Sequence, residues 1–218
     1  MKDIENRVII DTDFLNKITQ ANGIDGKSLF IRMMSLLGRK PVVHWYVAEN
    51  EMCVNNPIAK DLLDTGIIEI IRPGDFLKNS EDLNDYEYYY KKWYNYMNPD
   101  DRLCEHECPN VFTFRKAGHS LGEIHSILLA KFTGIPLFMS DDRDAEDLVH
   151  YAGLEKSIQV YNLEDTYKEI GRIKGKEITL SEVRAVVNPA GDPNKKAARR
   201  AKERYMRIKE EWQTDDLL

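Results

Sequence analysis

Short apolar segments alternate with helix-length amphipathic segments along most of this chain, and this alternation restricts the fold more than any other feature of the sequence. The segments with strand character span residues 7–10, 41–47, 67–71, 137–139 and 158–161. Apolar residues recur at helical spacing in residues 26–37, 57–65, 120–133 and 142–153. Strands that alternate with helices of this length are typical of βαβ units. We therefore predict a three-layer α/β/α fold with a central, mainly parallel sheet.

The composition is that of an ordinary folded protein. At 218 residues, with 42% hydrophobic and 31% charged residues, the chain is long enough for one sizeable domain with an appendage. No apolar run approaches the ~20 residues that span a bilayer, and the N-terminus lacks the apolar core of a signal peptide. Three cysteines are few for this length and favour a reducing compartment. These features predict a cytoplasmic protein without a membrane partner.

Two regions depart from the regular pattern. Residues 75–117 contain a tyrosine-rich helix followed by a stretch with no clear period, which we interpret as a helical insertion. We expect a first domain over residues 1–165 that carries this insertion, and a C-terminal helical extension over residues 166–218. In the insertion, an aromatic stripe is expected to pack on the core, formed by Tyr86, Tyr89 or Tyr90, Trp93 and Met97. The remaining tyrosines are left open as a surface for stacking on unpaired bases.

The C-terminal helix is basic on one side and apolar on another. Between residues 194 and 209 it carries eight lysines and arginines against the single acid Glu203, although the whole chain has a net charge of -6. Its apolar residues recur at alternating spacings of three and four, at Ala198, Ala201, Tyr205, Ile208 and Trp212. This seam predicts a docking face, either onto the domain or onto a protein partner. The basic side could hold an RNA backbone, although a solvated surface is the commoner outcome for such a helix.

Acidic side chains directly follow two of the predicted strands. Asp11 and Asp13 come after the first strand, and the aspartates of "SDDRD" (residues 140–144) come after the fourth. If these strands are parallel neighbours, both sets lie at the carboxyl edge of the sheet, where ligands bind in such folds. Glu123, in the first turn of the helix before the fourth strand, could reach the same edge.

Helix capping explains each of these acids singly but not the set. The spacing of Ser120 and Glu123, for example, predicts a capping box. Clustered carboxylates, however, repel one another and cost stability unless a cation neutralises them. Oxygen ligands of this kind suit Mg²⁺ or Mn²⁺. The set therefore predicts a site for one of these ions.

Two stretches resemble the motifs of PIN-domain nucleases. "VIIDTDFL" is similar to their opening strand and aspartate, and "GEIHSILLAKFTGIPLFMSDDRD" is similar to their Gly-Glu helix, strand and final aspartate. The resemblance covers roughly residues 7–149, interrupted by residues 75–117. It implies a metal-dependent endoribonuclease that hydrolyses single-stranded RNA with Mg²⁺ or Mn²⁺.

The resemblance also implies roles for individual residues. The catalytic acids would be Asp11, Glu51, Glu123 and Asp142, and the metal ligands would be Asp11, Glu123, Asp142 and Asp144. Thr12 is the hydroxyl residue beside the first aspartate. Glu49 and Glu51 both match the early acid of the family, and Glu51 is favoured because an apolar residue follows it.

Several alternatives stay open at this point. The same fold with an incomplete metal site would be an RNA- or protein-binding module. An antitoxin or another protein could bind through the C-terminal helix. The chain could also form a homo-oligomer. A Mg²⁺-dependent phosphatase would use Asp11 as nucleophile and Asp13 as acid, with Asp141 and Asp142 as a late acidic pair. Finally, Cys104, His106 and Cys108 offer ligands for zinc, but one short cluster is weaker than the paired spacing of zinc sites, so ordinary loop residues are favoured.

Overall fold

A computed structural model describes residues 2–103, 110–116, 120–188 and 194–215. Its centre is a sheet of five parallel strands, which are β1 (Arg7–Ile10), β2 (Lys40–His44), β3 (Glu69–Ile71), β4 (Leu137–Met139) and β5 (Gln159–Tyr161). Helices flank the sheet, so the predicted three-layer α/β/α fold is confirmed. All five strands overlap the segments with strand character.

The helices take up most of the rest of the described chain. They are α1 (Lys2–Glu5), α2 (Thr12–Thr19), α3 (Gly26–Leu36), α4 (Trp45–Val47), α5 (Cys53–Asn55), α6 (Pro57–Asp64), α7 (Pro73–Phe76), α8 (Ser80–Met97), α9 (Leu121–Thr133), α10 (Arg143–Tyr151), α11 (Leu163–Gly171), α12 (Leu180–Val187) and α13 (Lys195–Asp215). A wider, π-helical turn at Ala48–Met52 joins α4 to α5. Helix α2 contacts α3, α6 and α12, whereas α8, α9 and α10 contact one another as a second group.

The strand order β3-β2-β1-β4-β5 places a crevice between β1 and β4. The chain moves outwards from β1 to β3, then returns to the other side of β1 for β4 and β5. Because parallel crossovers are right-handed, this reversal puts the two helix groups on opposite faces of the sheet. The carboxyl ends of β1 and β4 therefore flank the topological switch point, where ligands of open parallel sheets bind. Ile10 pairs with Met139, so Asp11 and Ser140 begin at the same level of that crevice.

The aromatic stripe of α8 is part of the core, as predicted. Of the predicted stripe, Tyr86, Tyr90 and Trp93 are buried and Met97 is half-buried. Tyr94, which the prediction did not include, is also buried, while Tyr88 is 61% exposed. Helix α8 packs against α9. The tyrosine-rich segment therefore completes the layer of helices on one face of the sheet.

A buried hydrogen-bond chain joins α8 to β2 and α9. The Tyr86 hydroxyl lies 3.2 Å from Nε2 of His44 and 2.6 Å from Nδ1 of His125. Because His44 Nδ1 accepts the backbone N–H of Tyr46, the neutral His44 ring carries its proton on Nε2 and donates it to the Tyr86 oxygen. The Tyr86 hydroxyl then donates to His125.

Both imidazoles of this chain are held in their neutral form. Burial lowers the pKa of His44 to about 3, and burial, followed by the nearby His44, lowers the pKa of His125 well below its ordinary value. Unfolding lets both rings take up a proton below their ordinary pKa of 6.5. The contribution of His44 to stability is therefore complete above pH 6.5 and is lost as the pH falls towards 3, and that of His125 changes in the same direction.

Replacement of Tyr86 by phenylalanine is expected to destabilise the fold. The substitution Tyr86→Phe leaves two buried imidazole nitrogens without their partner, which costs about 1–3 kcal/mol. Tyr88→Phe, on the exposed side of the same helix, is the matched control and should stay within about 0.5 kcal/mol of the wild type. Urea unfolding at pH 7 measures both, and equal stability of the two variants would contradict the assigned hydrogen-bond chain.

The apolar seam of α13 docks onto the chain itself. Ile208 and Trp212 are buried, and α13 contacts α11 and α12. The Trp212 indole Nε1 donates to the Tyr167 carbonyl at 2.7 Å, and its ring lies where a Cβ on Gly171 would be. The seam thus packs within the chain, on α11 and α12, and these two helices lie mostly in the expected C-terminal extension. The expected boundary between residues 165 and 166 falls inside α11.

No helix in the described ranges is both long and apolar enough to cross a membrane. The zinc candidates Cys104, His106 and Cys108 lie outside the described residues, as does most of the segment between α12 and α13.

Candidate carboxylate site

Asp11 is the buried acid at the centre of the carboxyl edge. It follows β1, is 2% exposed, and its backbone N–H continues the sheet by donating to the Met139 carbonyl at 2.9 Å. The Ser140 hydroxyl, from the end of β4, donates to Asp11 Oδ2 at 3.2 Å. Burial, and next the charge of Glu51, raise the pKa of Asp11 to about 7. A positive charge beside this carboxylate would favour its ionised form and lower its pKa.

Glu51 reaches the same edge from the π-helical turn after β2. The Asn50 side chain donates to the Tyr46 carbonyl at 2.6 Å within this widened turn. Glu51 Oε2 accepts a hydrogen bond of 3.1 Å from the hydroxyl of Thr12, the residue after Asp11. Burial raises the pKa of Glu51. Glu49 is exposed, so the geometry favours Glu51 over Glu49 as the early acid.

Gly122 and Glu123 bring the first turn of α9 to the site. A Cβ built on Gly122 would lie only 2.5 Å from Glu51 Oε2 and 2.6 Å from Oε1, so the Glu51 carboxylate lies against the bare Cα of Gly122. Burial, and then the charge of Asp11, raise the pKa of Glu123 to about 8, and the charges of Glu51 and Asp142 contribute. The glycine before the glutamate therefore has a physical role, because any side chain at residue 122 would displace Glu51.

The predicted capping box between Ser120 and Glu123 is wrong. Ser120 is in the left-handed region, with φ 46°, and its side chain makes no cap hydrogen bond to α9. Its hydroxyl instead donates to Asp144 Oδ2 at 3.1 Å. Glu123 is thereby released from the expected capping contact. Asp144 is exposed and held by Ser120, so the structure gives it a contact other than the predicted metal ligation.

Asp142 lies at the rim of the site rather than in its interior. It is exposed and caps α10 by accepting the Asp144 backbone N–H at 3.0 Å. Its own N–H donates to the Ser140 hydroxyl at 3.2 Å, and that hydroxyl also contacts Asp11. The turn after β4 is thus connected to Asp11 through Ser140, and the charge of Asp142 is felt by Glu123.

Asp141 has a structural role that the sequence did not reveal. Its side chain is 4% exposed and lies 2.8 Å from both Lys17 Nζ and Arg204 Nη1. It also accepts the Leu163 N–H at 3.3 Å. Burial alone would raise the pKa of Asp141, but the hydrogen bonds from Arg204 and Lys17 outweigh it and lower the pKa. Asp141 therefore attaches α13 to the turn between Ser140 and Asp142.

The structure brings together most of the acids that the sequence selects. Asp11, Glu51 and Glu123 act on one another electrostatically, and Asp142 borders them. Within the described ranges, no three acidic, histidine or cysteine side chains are already arranged around one point that could hold a metal ion. The donor set fits a hard cation in chemistry, because it offers only carboxylate and hydroxyl oxygens. Burial is the first cause of the raised pKa values of Asp11 and Glu51.

Comparisons with known proteins identify no relative of this chain. No protein-family model matches the chain. Searches among curated proteins and among solved structures also find no significant match.

Proposed function

We propose that this protein is a metal-dependent endoribonuclease that hydrolyses RNA phosphodiester bonds, with Mg²⁺ or Mn²⁺ held by Asp11, Glu51, Glu123 and Asp142. The observation that carries the proposal is the meeting of Asp11, Glu51 and Glu123 at the switch point between β1 and β4, with the Glu51 carboxylate seated against Gly122. The resemblance of "VIIDTDFL" and the Gly-Glu helix to PIN-domain nucleases supports the same activity.

The closeness of the buried carboxylates at this edge supports a cation as their ligand. Stable proteins seldom leave buried carboxylates next to one another, because each raises the free energy of ionising its neighbours. Here the pKa of Asp11 is about 7 and that of Glu123 about 8, so both acids are partly protonated near neutral pH. A bound divalent ion would displace these protons and keep the acids charged.

Each residue of the site then has a part in the reaction. A divalent ion bound here supplies the positive charge that stabilises a phosphate under attack and lowers the pKa of a water. Asp11, Glu51 and Glu123 would hold the ion, and Asp142 at the rim would complete the set. Ser140 orients Asp11, and Thr12 orients Glu51, through the hydrogen bonds that they donate. No side chain is required as a nucleophile.

Metal-dependent cleavage of single-stranded RNA tests the proposal. The purified protein should cut a labelled RNA with Mg²⁺ or Mn²⁺ and leave it intact with EDTA. Because water attacks rather than the ribose 2′-hydroxyl, the products should carry no 2′,3′-cyclic phosphate. The absence of this product also distinguishes the activity from that of contaminating metal-independent ribonucleases. Intact RNA with every divalent ion would favour the binding module over the enzyme.

The contacts of Asp13 and Asp141 give no support to the phosphatase alternative. Asp13 is exposed and forms an ion pair with Lys17 at 2.5 Å on the surface of α2, instead of facing a substrate beside Asp11. Asp141 is occupied by Lys17 and Arg204. The two acids that this reaction needs in addition to Asp11 and Asp142 are thus engaged elsewhere.

A further inference from the structure

A second concave feature lies at the same edge of the sheet, on the side of β5. It is a pocket of about 540 Å³ between α2, the start of α11, the end of α12 and α13. Its apolar surface consists of Leu163, Val186, Val187, Ala197 and Ala201. Its charged walls consist of Lys17, Arg200, Arg204 and Arg207, with Asp141 and Glu203 as the acids. We call this feature the cationic pocket.

The three arginines form a row along α13. They are four and three residues apart, which places them on one face of the helix over about 10 Å of its length. Ala197 and Ala201 lie beside them, and their short side chains leave the guanidinium groups accessible from the pocket. A row of guanidinium groups suits a ligand with several phosphates, because each group can donate two parallel hydrogen bonds to phosphate oxygens.

The ion pairs inside the pocket leave part of this donor capacity unused. Arg204 contacts Asp141 through Nη1 alone, and a guanidinium has five N–H donors. Arg207 is held by Glu164. The Arg200 side chain is exposed and donates no hydrogen bond to any other residue that the structure describes, and its charge acts on Glu203. Arg200 is thus the strongest candidate for binding an anion from solution.

The cationic pocket and the carboxylate site share one turn of the chain. Asp141 forms a wall of the pocket, and the next residue, Asp142, borders the carboxylate site. The chain as a whole has a net charge of -6, so a polyanion is repelled except where local cations attract it. Because Asp141 and Asp142 are adjacent, the pocket lies within one residue of the rim of the carboxylate site.

We propose that the cationic pocket binds the sugar-phosphate backbone of single-stranded RNA next to the bond that is cleaved, with Arg200 as the principal phosphate ligand. This inference rests on the proposed nuclease function, because it is the carboxylate site that makes a phosphodiester strand the expected occupant rather than an acidic peptide. The apolar floor accommodates the ribose and base between successive phosphates.

Binding of a labelled oligouridylate in EDTA, where cleavage is absent, tests the pocket by fluorescence anisotropy. Arg200→Glu should weaken binding at least about tenfold and reduce the slope of log affinity against log salt by about 0.7, the value for one lost phosphate contact on a single strand. The matched control is Lys202→Glu, which makes the same charge change on α13 outside the pocket and should stay within about twofold of the wild type.

Each other outcome overturns the assignment. Equal losses in both variants would show a general effect of helix charge, and an unchanged Arg200→Glu or a wild type that binds no RNA would exclude the pocket as the RNA site. Labelled polyglutamate serves as a second probe. If Arg200→Glu loses binding of polyglutamate but retains binding of RNA, the occupant is an acidic peptide. Cleavage assays distinguish failure of the pocket from failure of the nuclease proposal. RNA that binds through Arg200 but is never cleaved would refute the nuclease, whereas cleavage with an unchanged KM in Arg200→Glu would refute only the pocket.

Discussion

Asp11→Asn is expected to lower metal-dependent cleavage of RNA by at least about 1,000-fold. The asparagine keeps the shape of the buried side chain and its contact with Ser140, but it removes the negative charge that binds the ion. The matched control is Asp13→Asn, two residues along the chain, where the carboxylate is exposed and paired with Lys17. This variant should keep its activity within a few-fold. Near wild-type cleavage by Asp11→Asn would exclude Asp11 as a ligand.

The same variant should change stability in a direction that a merely structural aspartate would not. The pKa of Asp11 is raised from 3.8 in the unfolded chain to about 7, so the metal-free fold loses stability as the pH rises between these values. At pH 8 the buried charge costs up to about 4 kcal/mol. Asp11→Asn should therefore be more stable than the metal-free wild type at pH 8, with the difference shrinking towards pH 4. Urea unfolding in EDTA measures this, and a less stable variant at pH 8 would contradict the assigned shift.

Gly122→Ala should lower cleavage by about 10- to 100-fold while the protein stays folded. The new Cβ would occupy the space of the Glu51 carboxylate, which is the mobile end of a side chain and can be pushed aside without disturbing the backbone. Alanine is also the better helix former, so the free energy of unfolding should remain equal or rise by up to about 1 kcal/mol.

Two further variants isolate the cause of this loss. Gly74→Ala introduces the same methyl group into α7, where nothing lies within 4 Å of the new Cβ, and it should leave cleavage unchanged. The double variant Gly122→Ala/Glu51→Asp shortens the displaced side chain and should recover part of the activity relative to Gly122→Ala. Full activity in Gly122→Ala would mean that the position of Glu51 is unimportant for the reaction.

The arrangement of the sheet and of its acids was accessible from sequence because it depends on local signals. Short apolar segments between amphipathic helices specify parallel strands, and acids that directly follow neighbouring parallel strands arrive at one edge. The predicted strand at residues 7–10 and the acids Asp11 and Asp142 follow from this logic. Glu123 could be predicted as a site residue because it lies in the first turn of α9, the helix that precedes β4.

The interactions that could not be predicted from sequence are contacts between residues far apart along the chain. Asp141 looked equivalent to Asp142, yet its partner Arg204 lies 63 residues further along the chain. Ser120 has the spacing of a capping residue, but its left-handed backbone directs it to Asp144. Nothing local shows that Tyr86 joins two histidines 39 and 42 residues away. The sequence offered two signals for the contact between Asp141 and Arg204. These are the surplus of basic residues on α13 and the acid pair after β4.

Calorimetric titration of the metal-free protein with Mn²⁺ near pH 7.5 tests the central claim, a cation site formed by these carboxylates, most directly. Asp11 and Glu123, with pKa values of about 7 and 8, carry protons that the ion must displace, so binding should release protons and its apparent enthalpy should depend on the buffer. Asp11→Asn should bind at least about 100-fold more weakly, and Asp13→Asn as the wild type does. A wild type that binds no Mn²⁺, or an Asp11→Asn variant that binds it equally well, would contradict the account.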